Sequence, residues 1–171
     1  MDQARHTFVP TALGELMLTA DGEALTGLYF PGHWHPPAAA LLGTRVEATG
    51  DPLFSRALDQ LQEYLDGQRH EFTLPLRTQG DAFSEKVWAL LGEIPYGETT
   101  TYGALAEQLG SRGLAQRVGQ CVGRNPLSIL VPCHRVVGAD GSLTGYAGGL
   151  ERKRALLELE EPSARAAERL F

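Results

Sequence analysis

Apolar residues alternate or run together over 5–10 and 14–19, and Ala20-Asp21-Gly22-Glu23 interrupts them with a turn signal. The pattern resumes over 24–30 (Ala-Leu-Thr-Gly-Leu-Tyr-Phe), so the first thirty residues predict an antiparallel meander. Pro31 to Thr49 is rich in Gly, Pro, Ala and His and predicts mostly loop. A helix start follows, with Asp51 placed to cap and Pro52 suited to the first helical position. Leu53, Phe54, Leu58, Leu61, Tyr64 and Leu65 then recur at helical spacing up to Asp66-Gly67. Residues 70–76 predict a final strand.

From Asp81 the period becomes helical. Phe83, Val87, Trp88, Leu90 and Leu91 make an apolar face that ends at Ile94-Pro95-Tyr96-Gly97. Thr100 or Thr101 can cap a short helix from Tyr102 to Leu109, Gly110-Ser111-Arg112-Gly113 turns, and Leu114 to Val122 forms a second short helix. This is the outline of a helix-turn-helix, although many αα-corners share it. Leu150 to Glu160 predicts a last helix with Leu150, Ala155, Leu156 and Leu159 inward. The expected class is α/β (α+β). A small N-terminal antiparallel sheet domain with one helix spans 1–80, and a mostly helical domain spans 81–171.

Composition is that of an ordinary globular chain, 43% apolar and 21% charged. The longest apolar runs, such as Ile129 to Pro132, fall far short of the roughly 18 to 20 residues that span a bilayer. The Met-Asp-Gln-Ala-Arg opening has no apolar stretch of a signal peptide. Two Cys, twelve residues apart and in unlike contexts, fit a reducing compartment, and a cytoplasmic monomer is expected. The net charge of −6 speaks against nucleic acid only until the chain is divided. Residues 1–80 hold 10 acidic and 5 basic side chains, whereas 81–160 hold 9 and 8. The cations of the second half gather at Arg112, Arg117, Arg124, Arg135 and Arg152-Lys153-Arg154, so local contact with DNA stays open.

The segment that carries chemistry is Asn125-Pro126-Leu127-Ser128-Ile129-Leu130-Val131-Pro132-Cys133-His134-Arg135-Val136-Val137. A buried apolar run delivers a thiol directly after a proline. A thiol is a good nucleophile only as thiolate, which needs a base or a positive charge, and His134 and Arg135 can supply them. A lone Cys is more often structural. Adjacent strand residues also point to opposite faces, so His134 serves Cys133 only in a turn or through water. Downstream, Gly145-Tyr146-Ala147-Gly148-Gly149 suits either close approach to a flat ligand under an aromatic lid or a loop that needs positive φ. Glu158-Leu159-Glu160-Glu161 reads on its own as a solvated helix end.

Pro132-Cys133-His134-Arg135-Val136 resembles the active-site motif of the O6-alkylguanine-DNA alkyltransferases (methylated-DNA–protein-cysteine methyltransferases). The resemblance runs without gaps from about Phe83 to Glu160. It includes Ile94-Pro95-Tyr96-Gly97, Thr101-Tyr102, Gly123-Arg124-Asn125-Pro126 and Gly141-Ser142-Leu143-Thr144-Gly145-Tyr146. It implies a winged helix-turn-helix and a DNA repair protein that flips O6-alkylguanine out of duplex DNA and moves the alkyl group irreversibly to Cys133, once per molecule. His134 would deprotonate the thiol through a water, Glu160 would orient His134, and Asn125 would brace the Cys loop. Tyr102 would protonate the departing guanine and help to push the 3′ phosphate. The backbone of Cys133 and Val136 would read the base edge, Tyr146 would cover it, and the amide of Ala147, next to Gly148, would bond its exocyclic oxygen. The second helix, through Ala115 and Gly119, would lie in the minor groove, whose degenerate code suits a sequence-indifferent protein, while Arg124 would face phosphate and Thr101 would also meet DNA.

Two departures stand out. The family commonly places an Arg on the second helix to fill the gap left by the flipped base. The matching position is Gln116, with Arg117 beside it. Some members carry zinc in the N-terminal domain, but residues 1–80 contain no Cys, and His6, His33, His35 and His70 read as ordinary histidines. No metal and no cofactor are expected. The rival readings are a non-catalytic alkyltransferase-like protein, which lacks the Cys, and a cysteine hydrolase, which would need an oxyanion hole.

Overall fold

The computed structural model describes residues 3–162. These residues divide into two compact units, 3–79 with 126–130, and 80–125 with 131–162.

In the first unit β1 (Ala4–Thr11), β2 (Gly14–Asp21) and β3 (Ala24–Tyr29) form the expected antiparallel meander. Within the segment read as loop lie a single-turn helix α1 (Ala39–Leu42) and a two-residue strand β4 (Thr44–Arg45). β4 joins the β1 edge in parallel, which makes the sheet mixed with the order β3-β2-β1-β4. The helix α2 (Pro52–Leu65) starts where the sequence signals it, and the Asp51 carboxylate accepts the amides of Leu53 and Phe54. Leu16, Leu18, Leu25, Leu28, Phe54, Leu61 and Tyr64 are fully buried and make the core.

Residues 70–76 are not a strand. Their one ladder contact is an isolated bridge between Leu76 and Leu25, because Pro75 has no amide to donate. Gln60 on α2 holds the segment instead: it accepts from the Thr73 amide at 2.9 Å and donates to the Thr73 hydroxyl at 2.9 Å. Residues 126–130 pack with this unit through Leu127, which pairs with Leu28. Ile129 takes φ 71°, a left-handed conformation rare for a β-branched residue, and its side chain is buried.

The second unit opens with α3 (Ala82–Leu91), capped by Asp81. The short strand β5 (Thr100–Thr101) leads into α4 (Tyr102–Gln108), whose cap is the Thr101 hydroxyl. The expected turn before the next helix contains a 3-10 turn over Arg112–Leu114, and α5 runs Ala115–Gly123, one residue later at each end than the spacing predicts. The Trp88 indole donates to the Cys121 carbonyl at 2.8 Å and ties α3 to α5. β6 (Val136–Val137) pairs with β5 in parallel. The last helix, α6, covers Leu150–Glu160. Its inward face differs from the apolar one expected. Leu150 is exposed, Ala155 and Leu159 are half-buried, and the buried positions are Lys153, Leu156 and Glu160. Two of these three carry charge, which places a polar site rather than a hydrophobic core beneath the helix.

Candidate active site

Pro132 leads into a single 3-10 turn, Cys133–Arg135, closed by the Arg135 amide on the Pro132 carbonyl at 3.0 Å. The turn breaks the strict alternation of an extended strand. In an extended strand Cys133 and His134 would diverge. Here both are buried, at 5% and 0% exposure.

His134 points its Nε2 at Glu160 Oε2, 2.8 Å away. With the proton on that nitrogen, Nδ1 keeps its lone pair. Nδ1 is buried and has no hydrogen-bond partner among the described residues. Burial lowers the imidazole pKa below its usual 6.5, although Glu160 pulls the other way, so the ring is neutral at pH 7 and fit to act as a base.

Glu160 is held from a second side by Arg135. The guanidinium donates Nε to Oε1 at 2.7 Å and Nη2 to Oε2 at 2.9 Å, while Nη1 reaches the Ile94 carbonyl at 2.6 Å. Arg135 therefore does not serve the thiol as a neighbouring cation, as its sequence position allows. It neutralises Glu160 in a bidentate pair. The end of α6 is fixed further by Tyr96, whose hydroxyl donates to the Leu159 carbonyl at 3.2 Å. Gly97 passes close by at φ 82°, and a Cβ there would sit 3.1 Å from the Glu160 carbonyl, so the Tyr96-Gly97 turn needs glycine.

Asn125 is buried and donates Nδ2 to the Val131 carbonyl at 2.8 Å, which pins the start of the Pro132-Cys133 turn to the end of α5. Tyr102, the first residue of α4, places its hydroxyl 2.7 Å from Thr144 Oγ1. Burial raises its phenol pKa, the Thr144 hydrogen bond opposes that, and the charge of Cys133 adds to it. Val136, Tyr146, Ala147 and Gly148 are all buried, and the Gly149 amide closes a turn on the Tyr146 carbonyl at 2.9 Å.

The residues proposed for DNA lie on α4, α5 and their approaches. Thr101 caps α4 and is half-buried. Ala115 and Gly119 are half-buried on α5, and a Cβ on Gly119 would come 3.6 Å from the Tyr102 ring, so this face of α5 adjoins the tyrosine. Gln116 and Arg124 are exposed. Arg117 is also exposed, but its guanidinium lies 3.9 Å over the Phe83 ring at the start of α3, near the Asp81 carboxylate.

Two residues of this neighbourhood escape sequence reasoning. Lys153 is 1% exposed, donates Nζ to the Thr144 carbonyl at 3.1 Å, and has its pKa pushed down to about 8 by burial while the charge of Cys133 raises it. Its place seven residues before Glu160, two helical turns away on the same face, is the signal that could have exposed it. Thr144 sits on a loop and carries no periodic signal. Cys121, the other cysteine, is buried on α5 with its sulfur 3.4 Å from the Ser84 hydroxyl. Among the described residues no group of three or more His, Cys, Asp or Glu could hold a metal ion, and no helix is long and apolar enough to cross a membrane.

Comparisons with known proteins cover both halves. Residues 82–162 match the model of the 6-O-methylguanine DNA methyltransferase DNA-binding domain, and residues 4–78 match that of the 6-O-methylguanine DNA methyltransferase ribonuclease-like domain. The methylated-DNA–protein-cysteine methyltransferase of Mycobacterium tuberculosis is 46% identical over 164 residues, 95% of this chain and 96% of that protein. A protein of the same name from Methanosarcina acetivorans is 47% identical over 164 residues, 91% of this chain and 97% of its own. Among solved structures, the M. tuberculosis OGT in complex with DNA superimposes with a TM-score of 0.81 at 43% identity, over 92% of each chain. An O6-methylguanine DNA methyltransferase from Methanococcus jannaschii gives 0.66 at 26% identity, over 90% of this chain and 92% of that one.

Proposed function

The chain belongs to the 6-O-methylguanine DNA methyltransferase family, and from that premise we propose that it repairs O6-alkylguanine in double-stranded DNA by taking the alkyl group onto Cys133. The observation that carries this reading is the buried Glu160–His134 couple beside Cys133, with a lone-pair nitrogen left for a proton. A water between thiol and imidazole passes the thiol proton to Nδ1. Glu160 stabilises the imidazolium that forms, which is the nucleophile, base and orienter logic of a triad. The thiolate attacks the alkyl carbon, the carbon–oxygen bond breaks, and Tyr102 gives its proton to the guanine ring as it leaves. Nothing hydrolyses the resulting thioether, so each molecule acts once.

The alkylated base cannot be reached in the stack, and flipping it costs a few kcal/mol. In this reading α5 enters the minor groove with Ala115 and Gly119 against it, Gln116 fills the gap, and Thr101 and Arg124 face phosphate. Val136, Tyr146, Ala147 and Gly148 line the base pocket, and Asn125 braces its floor. The protein works as a cytoplasmic monomer. The test is an intact-mass measurement after incubation with a duplex carrying O6-methylguanine. One added methyl group is expected, mapped to Cys133, absent from Cys133→Ser and unaffected by Cys121→Ser. Tight duplex binding without any mass gain would instead support a non-catalytic lesion binder, and repeated turnover a hydrolase.

A further inference from the structure

Thr144 touches two groups with two different atoms. Its hydroxyl lies 2.7 Å from the Tyr102 phenol oxygen, and its carbonyl accepts from the Lys153 ammonium at 3.1 Å. Tyr102 begins α4, Thr144 follows the turn over 138–142, and Lys153 lies one turn into α6. Three separate segments thus meet on one threonine. The chemistry above uses Tyr102 but assigns nothing to Thr144 or Lys153.

We propose that Thr144 is a positioning residue for proton delivery: its hydroxyl turns from acceptor to donor when Tyr102 aims its hydrogen at the base, and it then holds the oxyanion that forms as the proton leaves. This rests on the reading of Tyr102 as the proton donor to the departing guanine. A hydroxyl has one hydrogen and two lone pairs, so it can reverse direction without moving its oxygen. In the resting site the phenol hydrogen is free to point at Thr144. When a guanine enters, that hydrogen turns to a ring nitrogen, and Thr144 donates to the phenol oxygen instead. As the carbon–oxygen bond of the lesion breaks, its electron pair goes to the guanine and the phenol proton moves to the ring nitrogen. A phenolate remains, and water reprotonates it after the product leaves.

A hydrogen bond to an ionised acceptor is about twice as strong as one to a neutral acceptor, so the Thr144 bond strengthens as the reaction proceeds. Interactions that strengthen only in the transition state raise the rate rather than the affinity. Removal of one oxyanion donor costs about 100-fold or more where the charge is full. Here the phenol proton is only partly transferred in the transition state, so the charge is partial and roughly tenfold is expected.

The experiment compares wild type, Thr144→Val and Thr144→Ser in single-turnover methyl transfer from duplex DNA, with duplex affinity measured alongside. Valine should slow transfer roughly tenfold at unchanged affinity, and serine should restore it to within about twofold. The comparison is repeated with O6-methyl-8-azaguanine in the duplex, whose ring leaves as a weaker base and needs less proton delivery. The valine defect should shrink there to about twofold or less. In a Tyr102→Phe background, Thr144→Val should add nothing. Should valine displace the loop, as seen by a lowered Tm, Thr144→Ala gives the same comparison. A wild-type rate in the valine variant, or an equal defect on both lesions, overturns the proposal. If Tyr102→Phe itself transfers at the wild-type rate, the donor reading fails first. If Tyr102→Phe is slow and Thr144→Val is not, only the role of Thr144 fails.

Discussion

The two units bury polar groups in different ways. Among the described residues of the first, the buried polar side chains are Thr7, Thr19, Gln60 and Ser128, all neutral. In the second they are Asn125, His134, Arg135, Lys153 and Glu160, four of which can carry charge. A neutral group such as Gln60 is satisfied at little net cost, here by the exposed Thr73. Buried charges are a different matter, since desolvation offsets much of their attraction and well-packed apolar residues often stabilise a protein more. The second unit thus gives up stability for a site, and the first serves as ordinary core.

The largest break of that contrast is Glu160→Gln. An amide can still accept from His134, but it can neither stabilise the imidazolium nor neutralise Arg135. The alkylation rate constant should fall roughly tenfold or more. Because Arg135 is left as a buried, uncompensated cation, unfolding should also become easier by about 3 kcal/mol. Read from the sequence alone, the same change should leave the fold nearly untouched; the bidentate pair reverses that expectation. Single-turnover kinetics and denaturant unfolding measure the two effects separately, and a full rate would reduce Glu160 to a structural ion-pair partner.

Acid titration sharpens the contrast next. The folded pKa of His134 lies below 6.5, so the unfolded chain binds that proton first, and stability is lost as pH falls through 6.5. In the first unit the sensitive group is Asp51, whose pKa is lowered below 3.8 by Arg5 and by its capping bonds, against the opposing pull of desolvation. Its contribution is present above about 3.8 and fades only as pH falls through that value. Amide exchange should therefore show the second unit loosening as pH falls below 6.5 while the first holds, and His134→Gln should flatten that early slope. Simultaneous loosening of both units would count against it.

The smallest effect expected is at the exposed edge of α5. Gln116 faces solvent, whereas Arg117 lies against Phe83. Gln116→Ala should slow repair of duplex DNA a few-fold while sparing the free modified base, which needs no flipping, and Gln116→Arg should keep or improve duplex activity. Arg117→Ala should weaken binding mainly at low salt. A selective duplex defect in Arg117→Ala and not in Gln116→Ala would exchange the two assignments.

Where a residue's role is local, it was legible in the chain. Asp51-Pro52, Asp81 and Thr101 start their helices because capping is a matter of a few neighbouring amides. Glu160 was legible only through the family resemblance, since an acidic helix end looks solvated. Residues 70–76 misled because alternation says nothing about whether a strand edge is free and whether a proline falls on it. Leu150 and Lys153 misled together: hydropathy sends leucine inward and lysine outward, while α6 turns toward a pocket that needs a cation. Arg135 was visible as a charge beside Cys133, but its partner lies 25 residues away.

The place of Lys153 has a consequence for the molecule that has already reacted. Once the thiol is ionised, the negative charge of Cys133 raises the pKa of this buried ammonium, which still stands at only about 8. A thioether carries no charge, so alkylation withdraws that support while the desolvation remains. The lysine then sheds its proton to solvent. The departing guanine takes up a proton as the lysine gives one up, so near pH 8 transfer should be close to proton-neutral, and the spent site differs from the ionised one in where its charge lies rather than in net charge.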